Sequence, residues 1–478
     1  MPEKGQRVLR GGNIHYEISD RVRAIDCGGL GVVQLLVEHL GVAESIDRRV
    51  KVLERHLPYR ESDHVLNLIY NVMTGGSCLQ DVEERRRDPV YLDAVGARKV
   101  PAPSTEGDFL RRFDEAAIWK LMEAFDEARV KVWRSQDEEF REQATLDVDG
   151  TIQATDGECK SGIGMSYKGQ WSYHPLVVSL GETNEVLYVV NRPGNRPSHE
   201  GAAEVLDRSI ELVRRGGFQK VLLRGDTDFT QTRHLDRWDE QGVKFLFGAD
   251  CSRGLVRRAE ELPASAWSEL DRSPKKKKRG KRRRRKNVRQ ALVKKKGYRN
   301  LQLEREDVAE LPYRPAACKQ EYRLVVVRKR ITVTQGQGRL FDEIRYLFYL
   351  TNLRTESPQE VVFTANRRCH QENVIEQLKN GVQAMRMPSD SLNSNWAYLA
   401  IAAQAWNLKA WLGLMQPDRT LGQRILRMEF RRFLRKFVQI PCQILQRGGR
   451  LLYRLLNVND WTEALLAAAP SFRRTRYG

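Results

Sequence analysis

The stretch that most constrains this chain runs over residues 146–151 and reads Leu-Asp-Val-Asp-Gly-Thr. Apolar Leu146 and Val148 alternate with Asp147 and Asp149, so an extended backbone here buries one face and turns both carboxylates to the other. Two acids on the second face of a core strand are costly unless a cation or a catalytic task holds them. A strand end running into an Asp-Gly turn accounts for the same residues without any chemistry, so the rest of the chain has to discriminate.

Downstream, strand-like runs over 144–152, 175–180 and 185–190 are separated by glycine-rich or polar turns and suggest an antiparallel meander. A helix over 199–215 ends at Gly216-Gly217, and a strand over 220–223, a helix over 231–241 and a strand over 243–247 follow. That order is the order of the ribonuclease-H-like fold, in which the first strand lies centrally beside the fourth. The expected class is therefore α/β with a mixed-sheet core. The fourth strand ends Leu223-Arg224-Gly225-Asp226-Thr227-Asp228. Neighbouring strands lie about 4.8 Å apart, so Asp226 and Asp149 are expected to share a site. Carboxylates that close repel unless a divalent cation bridges them, and hard oxygen ligands suit Mg²⁺. Taken singly, 225–228 is also an ordinary turn.

A helix expected over 366–381 carries the third group. At about 100° per residue, Arg368, Glu372 and Lys379 fall in one narrow stripe with Glu376 close to it, although a solvated salt-bridge ladder has the same pattern. Together, Asp149-Gly150-Thr151, Leu223-Arg224-Gly225-Asp226 and the run Arg368, Glu372, Lys379 resemble the DDE transposases of bacterial insertion sequences. The likeness is to the cut-and-paste branch with a β-rich insertion between the second aspartate and the glutamate, and a Tyr-x-x-Arg-xxx-Glu-xxxxxx-Lys motif on the last catalytic helix. The last three motif positions match in spacing, while the tyrosine position holds Ala365. The text of 169–176 and 191–201 is similar to that branch too, and the resemblance covers residues 100–420.

The resemblance implies that Asp149, Asp226 and Glu372 are the catalytic ligands of two Mg²⁺ ions, with Mn²⁺ able to substitute. It selects them over Asp147, Asp228 and Glu376. Arg368 and Lys379 become clamps on DNA phosphates. The implied enzyme cuts and joins double-stranded DNA at terminal inverted repeats and target sites, as a homodimer when bound to two ends. Two other readings are a structure-selective DNA nuclease on the same fold and a transposase-derived DNA-binding regulator. The intact acidic triad argues against the regulator.

The charge balance agrees with a polyanionic partner. Lys and Arg number 82 against 62 Asp and Glu, a net +20, and neutralising phosphates releases condensed counterions. Residues 275–286 are basic at eleven of twelve positions. Lys275, Lys276, Lys277, Lys278, Arg282, Arg283, Arg284 and Arg285 are candidate DNA contacts, although a self-repelling solvated loop has the same composition. No stretch reads as a bilayer span: the best candidate, 397–415, is broken by Gln404, Asn407 and Lys409. The first residues lack a signal peptide's apolar core, and the seven cysteines are scattered singly. These features point to a cytoplasmic protein not associated with a membrane, and the resemblance implies a bacterial one, associated with the nucleoid through DNA.

Five segments are expected: a helical DNA-binding region over 1–140, the first part of the catalytic core over 141–250, a β-rich insertion with the basic loop over 251–360, the last core helices over 361–420 and a basic helical region over 421–478.

If the basic tract tracks a DNA backbone, each phosphate it neutralises adds about 0.9 to the log–log salt slope of binding. Deleting 275–286 is then expected to flatten that slope by roughly 3 to 4 units, equally on cognate and random duplexes. Binding across a salt series checks this, and an unchanged slope returns the tract to solvent.

Overall fold

The computed structural model describes residues 15, 16, 18, 22–56, 58–155, 157, 159–272, 299–335 and 338–473. The basic tract 275–286 lies outside them.

The core strands form where alternation or continuous apolar runs predict them: β1 (Gln143–Gly150), β2 (Leu176–Leu180), β3 (Glu185–Val190), β4 (Lys220–Gly225) and β5 (Lys244–Ala249). β2 runs antiparallel to both β1 and β3, whereas β4 runs parallel to β1 and β5 parallel to β4. The lateral order 3-2-1-4-5 is that of the ribonuclease-H-like core. β1 and β4 lie in the middle and are buried along most of their length, the charged Asp147 and Arg224 included.

The strands of the insertion do not make a separate sheet. β6 (Arg299–Tyr313), β7 (Tyr322–Gln335) and β8 (Gly338–Thr351) are joined edge to edge with the core, because Phe348–Thr351 of β8 pair antiparallel with Ala249–Leu246 of β5. With the short strand Ser268–Glu269, the sheet has nine strands among the described residues.

Two expectations fail in detail. The helix expected over 366–381 begins only at Cys369, as α2 (Cys369–Glu376) continued by a π turn over Gln377–Gly381, and a break at 367–368 separates it from a preceding helix, α1 (Pro358–Asn366). The break has a specific cause. In a continuous helix the Thr364 carbonyl would accept from the Arg368 N–H, but it accepts instead from Arg224 Nη1 at 2.7 Å, and Arg368 N donates to Ala365 O at 3.1 Å. The tail expected to be helical over 421–478 is helical up to Val438 and again over Thr462–Arg473, but a β-hairpin, Cys442–Arg447 and Arg450–Leu455, lies between. Pro441 ends the helical run, and Gly448 and Gly449, with φ of +55° and +72°, make a two-residue turn that L side chains resist. The hairpin pairs with Ala24–Ile25 near the other end of the chain.

Helix α3 (Leu392–Leu414) is buried all round and forms the axis of the helical half. Helices from both ends of the chain pack on it, so residues from Ile25 to Ala468 share one hydrophobic cluster. No helix among the described residues is long and apolar enough to cross a membrane. Inside the core, Arg129 pairs with Asp126, donates to Val186 O at 2.8 Å and lies 3.4 Å from Glu185. Glu185 accepts from the indoles of Trp133 (2.9 Å) and Trp411 (2.7 Å), and Asp126 from the Tyr188 hydroxyl (2.7 Å). This network ties the helix Glu115–Arg134 to the start of β3 and to α3.

Replacing Arg129 with Met strands two buried carboxylates, so a loss of about 3–5 kcal/mol is expected, the scale for breaking a buried pair on one side. Urea unfolding measures it, and a change below about 1 kcal/mol refutes the network's importance.

Candidate active site

The parallel register pairs Val148 with Gly225, so the next residues, Asp149 and Asp226, emerge side by side at the carboxyl ends of the two central strands. Asp149 accepts from its neighbour Gly150 N at 2.8 Å and from Arg368 Nη1 at 3.2 Å. Asp226 accepts from Asp228 N at 3.0 Å, and its Oδ2 lies 3.8 Å from the same Arg368 nitrogen. Burial and the neighbouring Asp226 charge push the Asp149 carboxyl up to about 6 against the pull of Arg368, with Glu372 adding to the rise. Burial also raises Asp226, with Arg368 opposing.

The other acid of the strand has a different fate. Asp147 is buried in a two-pronged pair with Arg224, Nε to Oδ1 at 2.5 Å and Nη2 to Oδ2 at 2.7 Å. Gly181 makes room for it: a Cβ there would sit 3.1 Å from Asp147 Oδ2. The remaining guanidinium nitrogen holds the Thr364 carbonyl at the end of α1. One arginine thus ties β1, β4 and the helix break that presents Arg368.

Glu372 is exposed on the first turn of α2, close enough for its charge to act on Asp149. The buried Gln371 beside it donates to Val177 O at 3.0 Å and accepts from the Ser179 hydroxyl, which staples α2 onto β2. Lys379, on the π turn, donates to Ile152 O at 3.1 Å just past β1. Burial lowers its ammonium, with Lys168 adding and Glu376 opposing. Glu376 accepts from Asn380 instead. Ala365 packs with Tyr349 and Phe363 on a second apolar cluster. Among the described residues no three His, Cys, Asp or Glu side chains converge at metal-ligand distance; the Arg368 guanidinium stands between Asp149 and Asp226. Lys275, Lys276, Lys277, Lys278, Arg282, Arg283, Arg284 and Arg285 lie outside the described residues.

Behind Gly150 the wall is polar. A Cβ on Gly150 would sit 2.8 Å from His174 Nε2 and 3.6 Å from Arg192 Nη2. His174 Nδ1 bonds to Arg196 O at 2.9 Å, and the buried Arg192 donates to the carbonyls of His174, Pro197, Ser198 and Glu200. The supporting roles of Arg224, Gln371 and Arg192 were not legible in the sequence. Arg224 has a signal in retrospect, since a charged residue next to the last of a central strand needs a partner on a neighbouring strand.

A family model described as "Transposase DDE domain group 1" matches residues 24–477. Comparison with curated proteins finds no match. Among solved structures the chain is similar to a "Cryo-EM structure of piggyBac transposase synaptic complex with hairpin DNA", at 11% identity and a TM-score of 0.38, over 86% of this chain and 82% of that one.

Because the folded pKa of Asp149 is raised, its ionisation costs stability as pH climbs from the unfolded value through about 6. Asp149→Asn is therefore expected to stabilise the metal-free protein by about 2–3 kcal/mol at pH 8, at 1.36 kcal/mol per pK unit, and by only about 0.5 kcal/mol at pH 4, close to the unfolded value. Thermal melts in chelator at the two pH values test this, and equal shifts at both refute it.

Proposed function

The chain belongs to the group 1 DDE transposases, and from that premise we propose that Asp149, Asp226 and Glu372 are the ligands through which it cuts and joins the ends of an insertion sequence. It is a DNA transposase, an enzyme of strand cleavage and transfer, and the nuclease and regulator readings are not favoured. Transposases of this family depend on divalent metal. The observation that carries the site assignment is the parallel register that brings Asp149 and Asp226 to adjacent strand ends, with Arg368 from a third element between them.

The donor set fits hard cations. All three groups are carboxylates, and the Asp149 carboxyl is raised by burial and then by the Asp226 charge, both of which a bound divalent ion would offset. Two Mg²⁺ ions, or Mn²⁺ in their place, would supply an activated water or 3′-hydroxyl and neutralise charge on the phosphorus centre. Arg368 and Lys379 would orient the scissile strand through its phosphate oxygens, positioning rather than reacting. Asp147 has no vacancy for a ligand, because both its oxygens are committed to Arg224. The partners in this reading are double-stranded terminal inverted repeats and target DNA. The active form bridges two ends as a homodimer in the cytoplasm of a bacterial cell, at the nucleoid.

Replacing Asp149, Asp226 or Glu372 with Ala is expected to lower cleavage of labelled element ends in Mg²⁺ by at least about 10²–10³-fold, the scale for losing one electrostatic stabiliser. DNA binding should persist, since removing negative charge does not weaken attraction to phosphate. An Asp226→Ala protein that still cuts sinks the assignment, and failure of the intact protein to join strands sinks the transposition chemistry.

A further inference from the structure

Beyond the catalytic acids, a second surface has the charge of a nucleic-acid contact. The decapeptide 427–436 holds five cations, Arg427, Arg431, Arg432, Arg435 and Lys436, against one acid, Glu429. It spans the helix Phe430–Phe433 and the π turn Leu434–Val438 that continues it. Phe430, Phe433, Leu434, Phe437 and Val438 are buried, which anchors one side, while Arg427, Arg431, Arg432 and Arg435 are exposed and Lys436 is half-buried. None of the five makes an ion pair among the described residues, in contrast to the exposed Arg48, Arg87 and Arg111 of the helical half. Like charges at i and i+4, here 431 with 435 and 432 with 436, are mutually destabilising.

The patch is also held rigidly. The Lys409 ammonium, fully buried in α3, donates to Leu426 O at 3.0 Å and Met428 O at 2.8 Å, gripping the backbone on either side of Arg427. Phe430 N donates to Gln377 Oε1 at 2.9 Å, and a Cβ on Gly381 would lie 3.1 Å from Phe430 Cβ. The basic helix is thereby docked on the end of the segment that carries Glu372 and Lys379. From Glu372 to Gln377 is five residues, about 7.5 Å along a helix axis.

We propose that Arg427, Arg431, Arg432, Arg435 and Lys436 form a backbone clamp for duplex DNA within the first helical turn beyond the scissile phosphate. Four observations converge on a polyanion held close to the chemistry: unpaired cations, an apolar root, a rigid mounting and contact with the catalytic segment. Phosphate contacts of this kind position the duplex and read no bases. The proposal rests on the transposase reading only in that DNA is the substrate.

The test compares the full chain with a variant carrying Arg431→Gln, Arg432→Gln, Arg435→Gln and Lys436→Gln. Binding to an element end is measured across a salt series, with hydroxyl-radical footprinting of the same duplex. At about 0.9 per phosphate, the log–log slope is expected to flatten by roughly 3 to 4 units, and protection should be lost on one side of the cut while persisting at the cut itself. The four single variants, which leave the apolar face untouched, should each flatten it by about 0.9 or less, and the matching Arg→Lys changes should restore it. An unchanged slope in the singles and the quadruple variant overturns the clamp, as does a variant that loses binding to anionic vesicles while keeping its duplex footprint. A full chain whose DNA binding shows no salt slope at all would instead count against the DNA substrate itself.

Discussion

The candidate site depends on one buried cation. Arg224 sits on a central strand and spends all three guanidinium nitrogens on structure: two on Asp147 of β1 and one on the Thr364 carbonyl of α1. The pair is affordable only because it is complete, since a buried charge missing one partner costs several kcal/mol. Its consequence is geometric. By taking the carbonyl that would have continued the helix, Arg224 forces the turn at 367–368, and that turn aims the Arg368 side chain at Asp149 and Asp226. The acid without a place among the proposed ligands is thus the one that orients the others.

How much of this could be read beforehand follows from the range of the forces involved. The core strands and the helix over 199–215 are legible because burial writes a period of two or an apolar run directly into neighbouring residues. The two strand-end aspartates were placed together by strand order, and Val148 opposite Gly225 realises that placement. Asp147 and Asp149 could not be told apart from alternation, since both face the same way, and what separates them is a contact with a residue 77 positions away. The helix break is invisible for the same reason: nothing in the local propensity of Thr364, Ala365 or Asn366 announces that a distant arginine will take a carbonyl.

The tail shows the opposite failure. Apolar and basic residues over 420–456 have a helical look, yet Pro441 and the pair Gly448-Gly449 are local signals that favour a hairpin. The edge strand at Ala24–Ile25 gives that hairpin a partner, so the outcome is set jointly by turn chemistry and by a strand from the far end of the chain.

That closure has a bearing on synthesis. All three acids of the proposed site have left the ribosome once residue 372 has emerged, but α3 cannot satisfy the grip of Lys409 until residues 426 and 428 follow, nor can Ala24–Ile25 pair until Cys442–Arg447 exist. A nascent chain therefore carries the acids and the strands that pair them for some time before the helical half around α3 is complete. A chain truncated before Cys442–Arg447 would hold all three proposed acids and their strand framework, yet lack the hairpin that pairs with Ala24–Ile25 and closes the helical half.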